Sequence, residues 1–281
     1  MIGQEERLFQ LRNLKNRQGK KRAPKIIAFT SGKGGTGKTF VSLNLAYSLS
    51  KQGKKILFID LDSNLSNANI MINCVAQKTI YDYFKGKSIL ADLITEYEPN
   101  LHFIFGDSGK TDYPKSRTSQ IVNFFGQLYS LEENYDHILL DTGAGASEEI
   151  ISILLNSDNC VLVTAPEPTA VMDAYVIIKL LNFNGYGGKK LILVNKCVEL
   201  SEGESTYNNL SAAAAHFLKE KVELLGIIDY DSAVAKAVKA QELYLKKSPR
   251  TKISAQIFKI SKDLHEFTQL ANILHPKNSK G

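Results

Sequence analysis

Cysteine is scarce in this 281-residue chain: three in all, Cys74, Cys160 and Cys197, set far apart. No two have the close spacing of a metal or redox motif, and Cys160 and Cys197 fall within apolar runs, so they read as small buried hydrophobes. The five histidines show no ligand spacing either. His102 sits in a strand beside Phe103, and the other four read as surface or loop residues. Long apolar runs are also missing. None approaches the roughly 20 residues needed to cross a bilayer, and the amino terminus lacks the apolar stretch of a secretory signal. These absences predict a cytoplasmic protein, at most peripheral at the inner face of the cell membrane. No internal repeat or low-complexity tract appears.

What is present suits one large domain. With 43% hydrophobic residues the chain can bury a substantial core without being divided. Apolar strand-like runs recur at 25–31, 54–61, 101–105, 135–141, 158–165, 189–195 and 222–228, mostly separated by helical stretches. That alternation predicts an α/β fold: a doubly wound, mainly parallel sheet of seven or eight strands with helices on both faces. The expected division is residues 1–24, a helix and basic linker, followed by a single domain over 25–281.

Chemistry concentrates after the first run. Lys25-Ile-Ile-Ala-Phe-Thr-Ser31 reads as a buried strand leading directly into Gly32-Lys33-Gly34-Gly35-Thr36-Gly37-Lys38-Thr39, with Phe40 next. Glycines 32, 34, 35 and 37 let successive N–H groups converge on one point at the start of a helix, a nest for phosphate oxygens. The helix is legible in Val41, Leu45, Ala46 and Leu49, with Gly53 placed to end it. In such a loop Lys38 reaches the β- and γ-phosphates and the Thr39 hydroxyl coordinates Mg²⁺. A chance glycine-rich turn would not be expected to place strand, loop, Lys-Thr and helix in this order.

Two more strands end in carboxylates. Asp60 and Asp62 close one, and Asp141 closes another just before Thr142-Gly-Ala-Gly145. In a parallel sheet both ends face the ligand side. A single strand-terminal aspartate can equally be a helix cap or turn residue. Three of them downstream of a phosphate loop favour a metal-nucleotide site.

Lys33 through Thr39, the Asp60-x-Asp62 strand end and Asp141-Thr-Gly-Ala-Gly145 resemble the three nucleotide motifs of the deviant-Walker-A ATPases, the group that includes the MinD and ParA families. The likeness runs over roughly residues 25 to 265. Thr164-Ala-Pro-Glu-Pro-Thr169, then Asp173-Ala-Tyr and Lys179, is similar to the flagellar FlhG (FleN, YlxH) branch. The resemblance implies a P-loop NTPase of the SIMIBI type that binds ATP or ADP with Mg²⁺, hydrolyses ATP slowly and forms an ATP-sandwich homodimer. It further implies that Lys33 reaches the phosphates held by the other subunit, that Asp62 orients the attacking water, that Asp141 holds the Mg²⁺ hydration shell beside Thr39, and that Asn195 reads the adenine edge. The cysteine spacing does not suit the cluster of the related nitrogenase iron proteins. The wording departs from the family at the first switch, where Asn64 and Asn69 replace a glycine and an aspartate. Asn tolerates the left-handed turn the glycine would make, while the lost charge at position 69 is expected to weaken coupling between nucleotide and dimerisation.

Both ends bear on partners. Leu8, Leu11 and Leu14, with Phe9, give residues 4–14 an apolar helical stripe, too short to be stable alone in water. The flagellar branch carries there a motif that activates an FlhF-type GTPase. Gln4 and Leu8 match it, Gly3, Glu5 and Phe9 do not, and Leu11 extends the candidate face. At the other end Ile253, Ile257, Ile260, Leu264, Phe267, Leu270 and Leu274 form a stripe expected to pack on the domain rather than on lipid. Net charge is +6. It leaves open a ParA-type role in DNA segregation through Lys236, Lys239, Lys246, Lys247, Arg250 and Lys252, although such runs are usually solvated faces. The remaining alternatives are a MinD-type division-site regulator and a scaffold whose nucleotide only sets its shape.

Overall fold

The computed structural model describes residues 25–62, 66–107, 118–131 and 134–270. The amino-terminal helix and linker with Gln4, Leu8 and Leu11, and likewise Asn64 and Leu274, lie outside the described residues.

Among the described residues eight strands form one sheet: β1 (Lys25–Ser31), β2 (Ile56–Leu61), β3 (Thr95–Glu98), β4 (Leu101–Ile104), β5 (His137–Ala144), β6 (Asn159–Thr164), β7 (Lys189–Cys197) and β8 (Glu223–Asp229). Their spatial order is β3-β4-β2-β5-β1-β6-β7-β8, parallel throughout except for the antiparallel pair β3 and β4 at one edge. The expected doubly wound, mainly parallel sheet is therefore the observed one. All seven apolar runs became strands. The eighth, β3, was not anticipated, because Thr-Glu-Tyr-Glu at an edge carries no apolar run.

Helices cover both faces: α1 (Lys38–Lys51), the short α2 (Ala68–Met71) and α3 (Ile80–Phe84), α4 (Thr118–Leu131), α5 (Glu148–Asn156), α6 (Pro168–Phe183), α7 (Leu200–Ala213), α8 (Ser232–Lys239), the short α9 (Tyr244–Lys247) and α10 (Lys252–Leu270). Alternation along the strands sorts side chains between two cores. Ile26, Ala28, Leu57, Ile59, Ile138 and Leu140 join Phe124, Leu154, Ile177 and Leu210 on one face. Ile27, Phe29, Ile56, Phe58, Leu139 and Val161 join Val41, Leu45, Leu49 and the α10 residues on the other. Local chemistry sets several helix ends. Ser147 accepts from the Ile150 amide ahead of α5, Pro168 occupies the first turn of α6, and Asp231 accepts from the Ala233 amide ahead of α8.

The described part of the carboxyl-terminal stripe packs inward. Ile253, Ile257, Ile260 and Leu264 are buried against α1 and β8, each contributing about 1.5–3 kcal/mol of burial. No helix among the described residues is long and apolar enough to cross a membrane. One histidine assignment is corrected. His137 is buried at the start of β5, with its Nε2 2.8 Å from Nδ1 of His265 on α10, so it ties the carboxyl-terminal helix to the sheet instead of lying in a loop. The buried thiols of Cys160 and Cys197 are each pushed up to about 12, chiefly by desolvation, which suits inert core residues.

Candidate functional site

β1 lies between β5 and β6, and the loop that follows it opens at the carboxyl ends of the parallel strands. Gly35 and Gly37 take φ values of +83° and +87°, backbone that L side chains rarely adopt. Gly37 is also closed in from below: a Cβ there would lie 2.3 Å from Nδ2 of Asn195. Gly32 is confined by a different element, since its Cβ would meet the carbonyl carbon of Asp173 on α6 at 2.4 Å. The loop is thus seated against both β7 and α6.

Beneath the loop, Asp141 gathers the first turn of α1. Its fully buried carboxylate receives the Lys38 ammonium at 2.9 Å, the Thr39 hydroxyl at 2.7 Å and the Ser42 hydroxyl at 2.9 Å. Lys38, Thr39 and Asp141, singled out separately in the sequence, form one cluster. Ser42 was not anticipated; it lies one turn after Thr39 on the same helix face. Phe40 turns its ring away into the core, edge-on to Tyr244 at 5.7 Å.

Further along β5, the Gly145 amide donates to the Ser31 carbonyl at 2.8 Å, so the second acidic strand ends against the start of the loop. Asp62 comes to the same place from β2: a Cβ on Gly143 would be 3.6 Å from its Oδ1. Asp60 does not face outward with it. Asp60 is fully buried, and its carboxyl is pushed up to about 6 by desolvation first and then by the charge of Asp141, its in-register neighbour across β2 and β5.

Two side chains at the end of β7 lace the loop from the side. Asn195 donates through Nδ2 to the Thr36 carbonyl at 2.8 Å, and Lys196, at φ +63°, donates through Nζ to the Gly35 carbonyl at 2.6 Å. Lys196 was missed in the sequence, where only its adjacency to Asn195 could have drawn notice. Lys33 points the other way. Its ammonium pairs with Glu167 and donates to Oγ1 of Thr169 at 3.0 Å, both at the start of α6, and this contact holds the Glu167 carboxyl below its ordinary range.

A glycine nest at a helix start, a lysine and a threonine meeting a buried aspartate, and a second acidic strand beside them define a P-loop nucleotide-binding protein. A family model described as an AAA domain matches residues 24–185. The chain is 34% identical over 265 residues to the flagellum site-determining protein YlxH of Helicobacter pylori, covering 93% of this chain and 90% of that protein. It is 29% identical over 247 residues to the antiactivator FleN of Pseudomonas aeruginosa, covering 88% of each. Among solved structures, the septum site-determining protein MinD of Pyrococcus horikoshii, complexed with Mg-ADP, superimposes with a TM-score of 0.74 at 25% identity, covering 90% of this chain and 100% of that one. The chain belongs to this family as a MinD/ParA-type ATPase, and its likeness runs to the flagellar FlhG (FleN, YlxH) branch. It is accordingly an ATPase-type regulator with a site for nucleotide and Mg²⁺.

Proposed function

We propose that the chain is a slowly hydrolysing ATP switch which pairs with a second copy across two bound nucleotides and regulates flagellar number or placement, acting through an FlhF-type GTPase. The observation that carries this reading is the separation of the two loop lysines. Lys38 is turned inward onto Asp141, whereas Lys33 reaches outward to Glu167 and Thr169 with a third of its side chain exposed. A cation on the outer rim can be offered to a neighbouring molecule, and ion pairs between such exposed groups are weak enough to exchange.

In this reading the loop amides from Gly32 to Thr39 bind the phosphates, and Lys38 leaves Asp141 to neutralise them. Thr39, Asp62 and Asp141 supply hard oxygen ligands of the kind Mg²⁺ takes, directly or through its waters. A Mg²⁺ held by these residues would supply charge neutralisation for the transferring phosphoryl group. Asp62 orients the attacking water. Asn195, which braces the loop through the Thr36 carbonyl, would read the adenine edge. Lys33 of each copy completes charge neutralisation in the other, so hydrolysis depends on assembly and then undoes it.

The flagellum site-determining role for which the Helicobacter pylori relative YlxH is named supports the flagellar assignment. Residues 1–24 would be the partner-binding segment ahead of a single ATPase domain. In the basic run behind the DNA-segregation alternative, Lys246 pairs with Glu98, Lys247 with Glu242 and Lys252 with Asp229, the ordinary contacts of a solvated charged face. The direct test is the GTPase rate of the cognate FlhF-type partner with the full chain, with the chain lacking residues 1–20, and with Asp62→Ala. Stimulation by the full chain and its loss on truncation are expected. Equal stimulation after truncation would refute the amino-terminal role, and ATP turnover no greater than that of Asp62→Ala would remove hydrolysis.

A further inference from the structure

Asp60 has no part in the reading above, yet it is fully buried among the apolar residues of β2. A carboxylate placed there is costly unless hydrogen bonds offset its desolvation. Three offset part of that cost, all from the chain that leaves the strand: the Asp62 amide at 3.0 Å, the Ser66 hydroxyl at 2.7 Å and the Ala68 amide at 3.2 Å. The last is the first residue of α2. One side chain therefore binds the beginning and the end of the connection from β2 to α2.

The neighbourhood is shaped around this arrangement. Gly106, just after β4, leaves room for it: a Cβ at that position would come 2.4 Å from the Ser66 hydroxyl and 3.2 Å from the Asp60 carbonyl. On the other side Asp60 lies in register with Asp141. The two buried aspartates collect donors from different segments, Asp141 from α1 and the phosphate loop, Asp60 from the connection carrying Asp62. Binding groups and the water-orienting group are thus anchored separately.

We infer that Asp60 is a positioning residue for ATP hydrolysis, holding Asp62 in place by fastening both ends of its loop, while nucleotide affinity is set by the Asp141 cluster. The inference rests on the ATPase reading. A helix cap or turn-former with no further role would change stability and leave the balance between binding and turnover untouched. A positioning residue changes turnover at constant binding.

The test compares the full chain with Asp60→Asn and Ser66→Ala in ATP binding, single-turnover hydrolysis and amide hydrogen exchange. Asparagine keeps an acceptor for the Asp62 amide but sets its own N–H groups against the Ala68 amide. Turnover is expected to fall about tenfold or more in Asp60→Asn and roughly two- to fivefold in Ser66→Ala, with ATP affinity within about threefold of the parent. Exchange at the Asp62 and Ala68 amides should rise in Asp60→Asn while the amides of β1 stay protected. Ser66→Ala, which retains the carboxylate and two of its donors, decides the question if Asp60→Asn does not fold. Parental turnover in either folded variant, or turnover and ATP affinity falling together, would overturn the inference. A parent without hydrolysis would instead overturn the ATPase reading. Exchange would then decide the anchor, which unchanged protection in Asp60→Asn would overturn.

Discussion

Asp141→Ala should destabilise the nucleotide-free protein and, in the same variant, enlarge the stabilisation that ATP confers. The carboxylate is fully buried and receives one ammonium and two hydroxyls. Its removal strands the charge of Lys38, itself only 6% exposed, with the long Thr39 contact at 3.3 Å in its place. Breaking a buried pair by deleting one partner costs about 3–5 kcal/mol. In a domain of this size that corresponds to a melting temperature lower by roughly 6–20 °C. A triphosphate restores the missing counter-charge. In the parent, ATP must first draw Lys38 away from Asp141; in the variant nothing competes. Thermal unfolding with and without ATP, in a chelator so that Mg²⁺ does not contribute, is the assay. The reasoning fails if the nucleotide-free variant melts within about 2 °C of the parent, or if the shift on adding ATP is no larger than the parent's.

The lacing of the loop by β7 predicts that Asn195→Ala and Lys196→Ala each weaken ATP binding roughly 2- to 12-fold, the worth of one hydrogen bond, by calorimetric titration; unchanged affinity in both would show the contacts to be incidental. Leu264→Ala should cost about 2–5 kcal/mol of stability in denaturant unfolding and leave vesicle co-sedimentation as it was, because the side chain is fully buried; altered lipid binding without destabilisation would reassign the stripe. Asp60 gives a pH signature. Its carboxyl is raised from 3.8 to about 6 in the fold, so its contribution is complete below about pH 4 and is lost as pH rises through about 6. The stability of the parent relative to Asp60→Asn should therefore drop between about pH 4 and 7, and a flat or rising difference contradicts the burial argument.

The buried parallel strands were legible because both of their faces are covered, which leaves continuous apolar runs in the sequence. β3 was not: Thr95, Glu96 and Glu98 lie at an edge, and their pairing with β4 is dictated by the neighbouring strand. The phosphate loop was readable for a local reason, since its lysine, threonine and glycines are consecutive. The aspartates followed only once a parallel sheet was assumed. Contacts that depend on elements far apart left no local trace, as with Glu167 against Lys33, 134 positions away, Lys196 over Gly35, and His265 meeting His137. The α10 stripe read correctly as core because Ile253, Ile257, Ile260 and Leu264 recur at helical spacing. Its specific partner, the buried side of α1, could not be read from it.

Sedimentation of Lys33→Ala in the presence of ATP and Mg²⁺ tests most directly whether two copies pair across their nucleotides. The parent should shift from monomer to dimer, and the variant, with its loop and Lys38 intact, should bind ATP yet stay monomeric. A Lys33→Ala protein that dimerises and turns over ATP as the parent does would contradict the claim that this lysine joins two copies through their nucleotides.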